Sequence, residues 1–380
     1  MSNPLQARLR LLFTGAGQDV SQDILPDLLS FSFSDKESGE ADEISLTLKD
    51  ETGKWAQTWK PDGGEVVDAY LATGRINLPA VDELHCGRFY VDSMSVRGAP
   101  RTFEMQAVST PMSEPIRRKQ ITKAWESRTL KGIAQEICNE NELELFFDAE
   151  EDPKYDRRDQ KEESNLAFLQ RLCEDEGFSI KVTDRKIVIF DQKAYESKPP
   201  IKTIVLGVSD ILSWSFSSQQ SETYKTCVVA WRDLKKKGAD SAGGYDFSKP
   251  GTPAGSSEED LAALRTPDYR AQKNRAVNYF SFTDPNADPN GQEYRVRKRV
   301  TSKSEAERLA KATLRKVNLR RVTGSLTMVG DPSLLAGCVI ECLGFGSFDG
   351  NFIIESSTHS VTTGSGYTTS VNLRRVNKEF

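Results

Sequence analysis

The last third of the chain alternates short apolar segments with turn residues, and this pattern limits most strongly what the chain can fold into. From Ser325 the sequence reads SLTMVGDPSLLAGCVIECLGFGSFDGNFIIESSTHSVTTGSGYTTSVNLRRV. Its strand-length segments are separated by Gly, Asp and Pro clusters at 330–332, 344–350 and 364–366. Short strands with turn signals at this spacing are typical of antiparallel sandwiches and barrels. The sequence therefore predicts a β-barrel here rather than a catalytic centre.

The first 110 residues show the same period of two. Apolar residues share one strand face at Phe31 and Phe33, Ile44 to Leu48, Phe89 and Val91, and Phe103 and Met105. Trp55 and Trp59 lie between these strands at helical spacing, before a Pro-Asp-Gly-Gly loop at 61–64. We expect the two indoles to close a barrel end rather than to stack on a ligand.

The period becomes helical between Pro111 and Pro200. Apolar positions from Leu130 to Ile137 follow Ser127 and Thr129, either of which could cap a helix. A second helix, 165–176, follows Ser164 and is expected to end at a left-handed Gly177. Alternation at 178–190 then indicates a hairpin, so residues 111–200 are predicted to form a compact α+β domain.

Strand character resumes after Pro200, and residues 201–380 are predicted to form a second β domain. A turn-rich stretch, 233–293, is interpreted as a long loop insertion that contains one short helix candidate from Ser256 to Leu264. A strand at 294–300 and a helix from about Ser304, with Ser304 and Glu307 as a capping box, are expected to follow.

The predicted fold class is α+β, mainly β, with two antiparallel β-barrel domains, 1–110 and 201–380, flanking the smaller α+β domain at 111–200. This order of elements suggests a duplicated architecture. No residue-level repeat strong enough to prove duplication emerges from the sequence pattern alone.

Composition excludes several classes of protein. The net charge of −5 argues against global attraction to nucleic acid or anionic lipid. No window approaches the roughly 18 apolar residues of a membrane span, and the amino terminus lacks a signal-peptide pattern, so cytoplasmic synthesis without membrane insertion is expected. The six scattered cysteines are interpreted as reduced, mostly buried thiols.

The residues required by common catalytic and cofactor sites are missing. His85 and His359 are the only histidines, neither has a nucleophile context, and both are interpreted as structural. Cys338 and Cys342 lack the second ligand pair of a structural zinc site. Gly344, Gly346 and Gly350 precede a strand rather than a helix, which indicates a hairpin turn and not a phosphate cradle. We therefore predict no catalytic, metal or cofactor-binding residues and no enzymatic activity.

Two charged patterns leave alternatives open. Carboxylates cluster at 150–152, 162–163 and 174–176, and a glycosidase-type pair could be built from any two of them, so a peptidoglycan hydrolase is the alternative function. Arg295, Arg297, Lys298 and Arg299 could contact a polyanion. The basic cluster has no interleaved aromatic residues, and a solvated strand face is the stronger interpretation.

Two segments of the chain carry a distinctive set of residues. They are Gln160, Glu163, Ser164, Phe168, Leu169, Arg171, Leu172 and Gly177 in the first segment, and Gly330, Pro332, Leu335 and Gly337 in the second. Gly350, His359 and the Gly366-Tyr367-Thr368 run belong to the same pattern. Together these residues resemble the late control D family of phage tail proteins. Domain order and length agree across the chain, although residues 1–110 and 233–293 match only in general character.

The resemblance implies a non-enzymatic hub in the baseplate of a contractile phage or phage-like tail, assembled in the host cytoplasm. Two tail-tube-like barrels in each chain would let a homotrimer present six barrels to a six-fold tail tube or tube initiator. The three-fold axis would meet a trimeric central spike, expected to be a separate polypeptide. The α+β domain would contact spike or wedge proteins, and the lumen would pass DNA or tape measure protein.

Overall fold

A computed structural model describes residues 5–13, 18–19, 21–57, 64–75, 80–109, 115–183, 185–219, 223–231, 278–285, 287 and 291–376. These residues belong to two compact units, one formed by Met1–Ser221 with Leu319–Phe380 and the other by Glu222–Asn318. None of the helices within the described ranges is long and apolar enough to span a membrane.

The strands are numbered in chain order. They are β1 (Leu5–Phe13), β2 (Gln18–Asp19), β3 (Leu28–Lys36), β4 (Glu43–Lys49), β5 (Val66–Arg75), β6 (Ala80–Arg97), β7 (Thr102–Val108), β8 (Gln120–Thr129), β9 (Glu144–Asp148), β10 (Lys154–Ser164), β11 (Phe178–Thr183), β12 (Lys186–Asp191), β13 (Lys202–Val205), β14 (Ile211–Ser218), β15 (Tyr224–Trp231), β16 (Asn278–Thr283), β17 (Gln292–Val300), β18 (Val322–Val329), β19 (Val339–Leu343), β20 (Gly350–Thr362) and β21 (Gly366–Arg375).

The described helices are fewer and mostly short. They are α1 (Ser21–Ile24), α2 (Lys54–Gln57), α3 (Pro115–Arg118), α4 (Leu130–Glu140), α5 (Asn165–Glu176), α6 (Gln192–Glu196) and α7 (Lys303–Asn318), with 3₁₀ turns at Leu25–Asp27 and Gly346–Phe348.

The larger unit is built around a 13-stranded sheet. Its main path runs β14-β18-β21-β20-β3-β4-β7-β6-β5-β1-β2, and β19 and β13 extend from β20. Neighbours are antiparallel except for the β13–β19 pair. The fold class predicted from sequence, α+β and mainly β, is confirmed. The structure adds that the amino- and carboxy-terminal β regions share this one sheet, because β20 pairs with β3.

Each β region nevertheless has its own hydrophobic core. One core is formed by apolar residues between Leu9 and Ala107, and the other by residues between Ile204 and Leu373. Trp55, on α2, is buried in the first core, and its indole N–H donates to Asp27 at 2.9 Å. This burial agrees with the expectation that Trp55 closes the end of the β region rather than stacking on a ligand. Trp59 lies outside the described residues.

The α+β region between the two β regions contains the two predicted helices, α4 and α5, and the predicted hairpin β11–β12. Thr129, and not Ser127, caps α4 by accepting from the Gly132 N–H at 3.1 Å. Ser164 caps α5, which ends at Gly177 in the left-handed conformation that glycine adopts without strain. The hairpin β11–β12 is joined by β9, and a third core lies between these strands and the two helices.

The smaller unit corrects two sequence-based assignments. β15 was expected in the second β domain, but it pairs with β16 and β17 in a separate three-stranded sheet against which α7 packs. Asn278–Thr283, inside the stretch interpreted as a loop, is strand β16. A six-residue strand whose partner is far away in sequence has no local turn signal, so its pattern was missed. The helix candidate Ser256 to Leu264 lies outside the described residues.

The start of α7 also differs from expectation. The Ser302 hydroxyl, not that of Ser304, accepts from the Glu305 N–H at 3.2 Å. The Glu305 carboxylate accepts from the Thr301 N–H at 3.3 Å. The capping residues are therefore two positions earlier than Ser304 and Glu307, because the chain turns into the helix at Thr301.

Candidate functional site, a duplicated four-stranded sheet

The large sheet contains the same four-stranded arrangement twice. We name β3, β4, β7 and residues 87–97 of β6 repeat 1, and β14, β18, β21 and β20 repeat 2. In the sheet their orders are β3-β4-β7-β6 and β14-β18-β21-β20. Within repeat 1 Ser32 lies opposite Ser45, and within repeat 2 Ser215 lies opposite Ser325. The register shifts at the start of both first strands, between Leu28 and Ser30 in β3 and between Ile211 and Ser213 in β14. The two repeats therefore share both their register and this bulge.

The other strand pair of each repeat matches as well. Ser93 faces Gln106 in repeat 1, and Ser356 faces Asn372 in repeat 2. The register shifts just before Ser93 and just before Ser356. Each of these strands includes a glycine with positive φ, 125° at Gly87 and 133° at Gly350. These shared irregularities make the two repeats equivalent residue by residue.

Short similar segments accompany this equivalence. Residues 27–34 read DLLSFSFS and residues 210–217 read DILSWSFS, while 87–93 read GRFYVDS and 350–356 read GNFIIES. Sequence reasoning missed the repeat because two unrelated regions, 111–200 and 222–318, separate the matching strands along the chain. A search for the Ser-aromatic-Ser-Phe-Ser segment alone would have found it.

Alternation gives the shared sheet one apolar face and one hydroxyl face. Most apolar side chains of both repeats lie in the two cores, whereas Val96, Leu212 and Trp214 are exposed. The register places serine and threonine together on the opposite face. The hydroxyl face consists of Ser30, Ser32, Ser34, Ser45, Thr47, Ser93 and Ser95 in repeat 1, and Ser213, Ser215, Ser217, Thr323, Ser325, Thr327, Ser356, Thr358, Ser360, Thr362, Thr368 and Ser370 in repeat 2.

Many of these hydroxyls bond to each other across strands. Ser34 and Thr358 lie 3.3 Å apart, Ser217 and Thr323 3.0 Å, and Thr327 and Ser370 3.0 Å. Among the charged side chains of this face, Arg97 pairs with Glu104 at 3.2 Å. A groove of about 540 Å³ is lined by five of these hydroxyl residues, on β14, β18 and β20, and also by the charged residues Lys36, Glu40, Arg320 and Glu355. The hydroxyl residues of this surface offer uncharged hydrogen bonding, and charged side chains lie beside them at the groove.

The two repeats meet where β20 pairs with β3. The pairing runs from Ser356 opposite Lys36 to Thr362 opposite Ser30. On the apolar side of this junction the Phe33 ring stacks on His359, with ring centroids 5.9 Å apart. Both side chains are buried. The junction is therefore a continuous piece of sheet and core rather than a loose contact between domains.

His359 is held inside the junction by four polar contacts. Its Nδ1 lies 2.7 Å from the Tyr367 hydroxyl and 3.2 Å from Thr369, and its Nε2 lies 3.0 Å from Ser357 and 3.2 Å from the Leu334 carbonyl. Burial lowers the pKa of His359 to about 4, so the ring is neutral at pH 7. Ser357 is also fully buried, so this Ser–His pair is closed to substrate. His85 is exposed and stacks on Tyr70 at 4.5 Å.

A half-buried lysine ties the α+β region to the junction. Lys181, on β11, lies 2.6 Å from Asp35 of β3 and 3.0 Å from Asp42. The second Asp35 oxygen accepts from the Ala336 N–H at 2.9 Å. Burial raises the pKa of Asp42 to about 6. Burial lowers the pKa of Lys181, but the two carboxylates outweigh it and raise that pKa above its ordinary value, so the lysine stays charged.

A buried arginine makes the second tie. Arg374, on β21 and fully buried, contacts Glu37 at 3.2 Å and Glu355 at 3.5 Å. It also donates to Glu196 of α6. Burial raises the pKa of Glu37, although the arginine charge opposes this shift. Because these groups come from both repeats and from the α+β region, the network fixes all three relative to one another.

The residues that carry the family resemblance occupy structural positions, at the start of a helix, in an ion pair and in turns. Gln160 is buried and donates to Asn165 at 3.0 Å, at the start of α5. Arg171, later on α5, pairs with Glu163 at 2.5 Å. Gly330 packs under the Tyr367 ring, where a Cβ would come within 2.0 Å of ring atoms. Gly337 has a φ of 82° in the turn between β18 and β19.

The residues of the alternative functions lie elsewhere. Of the predicted carboxylate clusters, Glu163 is engaged by Arg171 and Asp152 accepts from the Lys131 N–H at 2.9 Å. Arg295 is exposed on β17 in the smaller unit and pairs with Glu293 at 2.5 Å. All six cysteines are free thiols. Within the described ranges, no cluster of three or more His, Cys, Asp or Glu side chains could hold a metal ion.

Comparison with known proteins gives the family. The family described as phage tail baseplate hub (GPD) matches residues 90–365. The probable baseplate hub protein of Escherichia phage P2 is 26% identical over 221 residues, which cover 57% of this chain and 55% of that relative. The match thus spans just over half the length of the curated relative.

Solved structures show the same fold. The tail protein from Neisseria meningitidis MC58 superimposes with a TM-score of 0.65 at 10% identity, over 97% of each chain. The E. coli c3393 protein, a component of the type VI secretion system, gives 0.52 at 12% identity over 93% of this chain and 75% of its own. The family match covers most of the chain, including the α+β region and strand β20, and the chain therefore belongs to the phage tail baseplate hub family.

Proposed function

We propose that the chain is a non-enzymatic structural hub that assembles as a homotrimer and adapts three-fold to six-fold symmetry. The observation that carries this proposal is the duplication of the four-stranded sheet, with shared register and shared bulges. Three chains supply six nearly equivalent repeats, which suits a six-fold tail tube on one side. The differences between repeats 1 and 2 preserve three-fold symmetry for a trimeric spike on the other.

The hydroxyl face of the repeats lines the lumen of this ring. A channel for DNA or tape measure protein needs a wetted wall that holds nothing tightly, and fixed positive charge would retain a polyanion. Serine and threonine offer hydrogen bonds without net charge. The charged side chains beside them include the ion pairs Arg97–Glu104, Lys36–Glu40 and Arg320–Glu355. The α+β region, tied to both repeats by Lys181 and Arg374, forms a rigid peripheral platform for spike or wedge proteins.

The buried ion networks support a mechanical role. A hub transmits force between spike and tube during contraction, so its regions must keep fixed relative positions. Glu163, one of the clustered carboxylates from which the hydrolase alternative would be built, is held by Arg171 on α5. This pairing favours the structural role over the peptidoglycan hydrolase.

The solution mass of the full chain tests the proposal. Sedimentation of the chain alone and co-expressed with the spike protein from the same tail should give three subunits, or a three-to-three complex, and imaging should place the hydroxyl face around the lumen. A chain that stays monomeric with and without spike contradicts the symmetry adaptor. Zymography on cell-wall material separates the alternative, because clearing abolished by Glu163→Gln would contradict a purely structural role.

A further inference from the structure

The smaller unit occupies the place of a hairpin turn in repeat 2. In repeat 1 the turn between β3 and β4 contains only residues 37–42, and Ser34 pairs with Glu43 beside it. The equivalent pair in repeat 2 is Ser217 with Thr323, and the whole smaller unit lies in the chain between these two residues. The smaller unit is therefore an insertion in a turn, and β14 and β18 pair with each other without its help.

One side chain holds the two ends of this insertion together. The Asn318 Oδ1 accepts from the Tyr224 N–H at 2.9 Å, and the Asn318 Nδ2 donates to the Tyr224 carbonyl at 2.8 Å. Tyr224 is the first residue of β15, and Asn318 is the last residue of α7. The three strands and the helix thus form a closed insertion that can carry a function of its own.

The insertion is basic, although the chain as a whole is acidic. Residues 222–318 contain 19 Lys and Arg residues against 13 Asp and Glu residues, whereas the complete chain has a net charge of −5. A local excess of positive charge attracts polyanions even when the rest of the chain is negative. The charge of the insertion therefore points to a negatively charged ligand.

The sheet of the smaller unit has one face that α7 does not cover. α7 lies on the side of Val229 and Phe282, since Val229 is fully buried and the Lys311 ammonium lies 5.7 Å from the centre of the Phe282 ring. We name the opposite side the open face. By pairing and alternation it carries Thr226, Val228 and Ala230 on β15, Tyr279, Ser281 and Thr283 on β16, and Glu293, Arg295 and Arg297 on β17.

An aromatic ring and two arginines are exposed on the open face. Tyr279 is 70% exposed, and the short side chain of Ala230 lies directly opposite it. The Arg295 side chain is 81% exposed and uses its Nε–H to pair with Glu293 at 2.5 Å. Arg297 is also exposed, and among the described residues it has no ion-pair partner. The open face therefore combines a planar ring with positive charge.

This combination was not visible in the sequence. The basic cluster of β17 has no aromatic residue among its members, but sheet pairing brings Tyr279 of β16 onto the same face. Exposed aromatic rings beside cations on a sheet bind unpaired bases by stacking, while the cations neutralise the phosphates. Bases in a duplex are already stacked on each other, so an exposed ring favours a single strand.

We propose that the open face of the smaller unit binds single-stranded nucleic acid, with a base stacked on Tyr279 and the phosphates along Arg295 and Arg297. Ser281 and Thr283 offer hydrogen bonds to base edges. Stacking and charge act on every base, so the binding depends little on sequence. This function goes beyond that of the hub and does not depend on trimer formation.

Fluorescence anisotropy of a labelled oligothymidylate of about 16 nucleotides, titrated with the full chain, tests the proposal. The strand should bind, and its affinity should fall as the salt concentration rises. Tyr279→Ala should weaken binding by about 5- to 150-fold, since stacking on one ring contributes about 1–3 kcal/mol. Tyr279→Phe keeps the ring and should restore binding. Arg297→Ala should lower the slope of log affinity against log salt by about 0.7.

The matched control is Lys303→Ala, which removes an exposed cation of the same unit from α7 rather than from the open face. It should leave the affinity unchanged. Equal losses for Tyr279→Ala and Lys303→Ala contradict the assignment of the open face, as does the absence of binding at low salt. A duplex of the same length that binds as tightly as the single strand contradicts stacking on Tyr279. Polyglutamate that displaces the strand as well as unlabelled oligothymidylate does contradicts nucleic acid as the ligand and favours an acidic protein.

Discussion

Strands β3 and β14 have nearly the same sequence and opposite surroundings. Both carry the Leu-Ser-aromatic-Ser-Phe-Ser run, and both pair in the same register with the second strand of their repeat. β3 also has β20 on its other side, and Phe31 is fully buried, whereas β14 ends the sheet and Trp214 is half-exposed. Strand sequence determines which face is apolar, and the neighbouring strand determines whether that face becomes core.

The equivalent positions that differ most are those where repeat 2 joins the rest of the chain. Arg374 stands where repeat 1 has Val108, and His359 stands where repeat 1 has Val96. In the second strand Gly324 stands where repeat 1 has Ile44. Repeat 2 therefore has two buried polar side chains, Arg374 and His359, and a glycine, Gly324, at positions where repeat 1 has apolar side chains. Substituting residues from one repeat into the other tests what each difference contributes.

The largest effect is expected from Arg374→Val, which installs the repeat 1 residue. It removes the cation shared by Glu37, Glu196 and Glu355 and leaves buried carboxylates uncompensated. Breaking one partner of a buried ion pair costs about 3–5 kcal/mol of the free energy of unfolding. Denaturant unfolding of the full chain measures this loss.

Arg320→Met is the matched control, because the Arg320 side chain contacts the same Glu355 but is 75% exposed. Its substitution should change stability by no more than about 1 kcal/mol. Equal costs for the two arginines would show that the buried network contributes nothing special.

A pH effect of about 3 kcal/mol is expected from His359. Its folded pKa, about 4, lies below its ordinary value of 6.5, so the unfolded chain binds the proton more tightly. This contribution to stability is complete above pH 6.5 and is lost as pH falls through 6.5 towards 4. His359→Val, the repeat 1 residue, should flatten this part of the stability–pH curve.

The pKa shift of Asp42 changes the pH dependence of stability in the opposite direction to that of His359. Its pKa is raised from 3.8 to about 6, so its contribution to stability is lost as pH rises through that interval. Asp42→Asn should therefore make the acid-side loss of stability steeper, while His359→Val makes it shallower. Parallel curves for the wild-type chain and His359→Val would contradict the histidine assignment.

A smaller loss is expected from Gly324→Ala. A Cβ at this position would lie 2.4 Å from the Phe216 ring, which is packed against Phe345 and Phe352 at centroid distances of 5.0 and 5.2 Å. Overpacking of this kind costs about 1–3 kcal/mol, measurable as a lower unfolding midpoint. Gly364→Ala, with no atom within 4 Å of the added Cβ, should be nearly neutral. An unaffected Gly324→Ala chain would mean that the aromatic cluster is loosely packed.

The local elements were predictable because their signals are contiguous in sequence. Thr129, Ser164 and Gly177 cap the two helices of the α+β region, as expected from cap chemistry. The smaller unit was not predictable, since β15 finds its partners β16 and β17 more than 40 residues away with no connecting turn signal. The predicted domain boundaries at 110 and 200 remain proposals.

The sequence by itself determined the two-faced strands, because alternation with period two places Phe and Leu on one side and Ser and Thr on the other. It also determined the helix caps and the glycine turns, which depend on neighbouring residues only. The tertiary structure decided that β20 pairs with β3 and that β14 is left at an edge. It also placed His359 and Arg374, both buried, and the half-buried Lys181 in polar networks. These features depend on pairing between residues far apart in the chain, where the same Ser-aromatic-Ser segment is equally compatible with a core or a free edge.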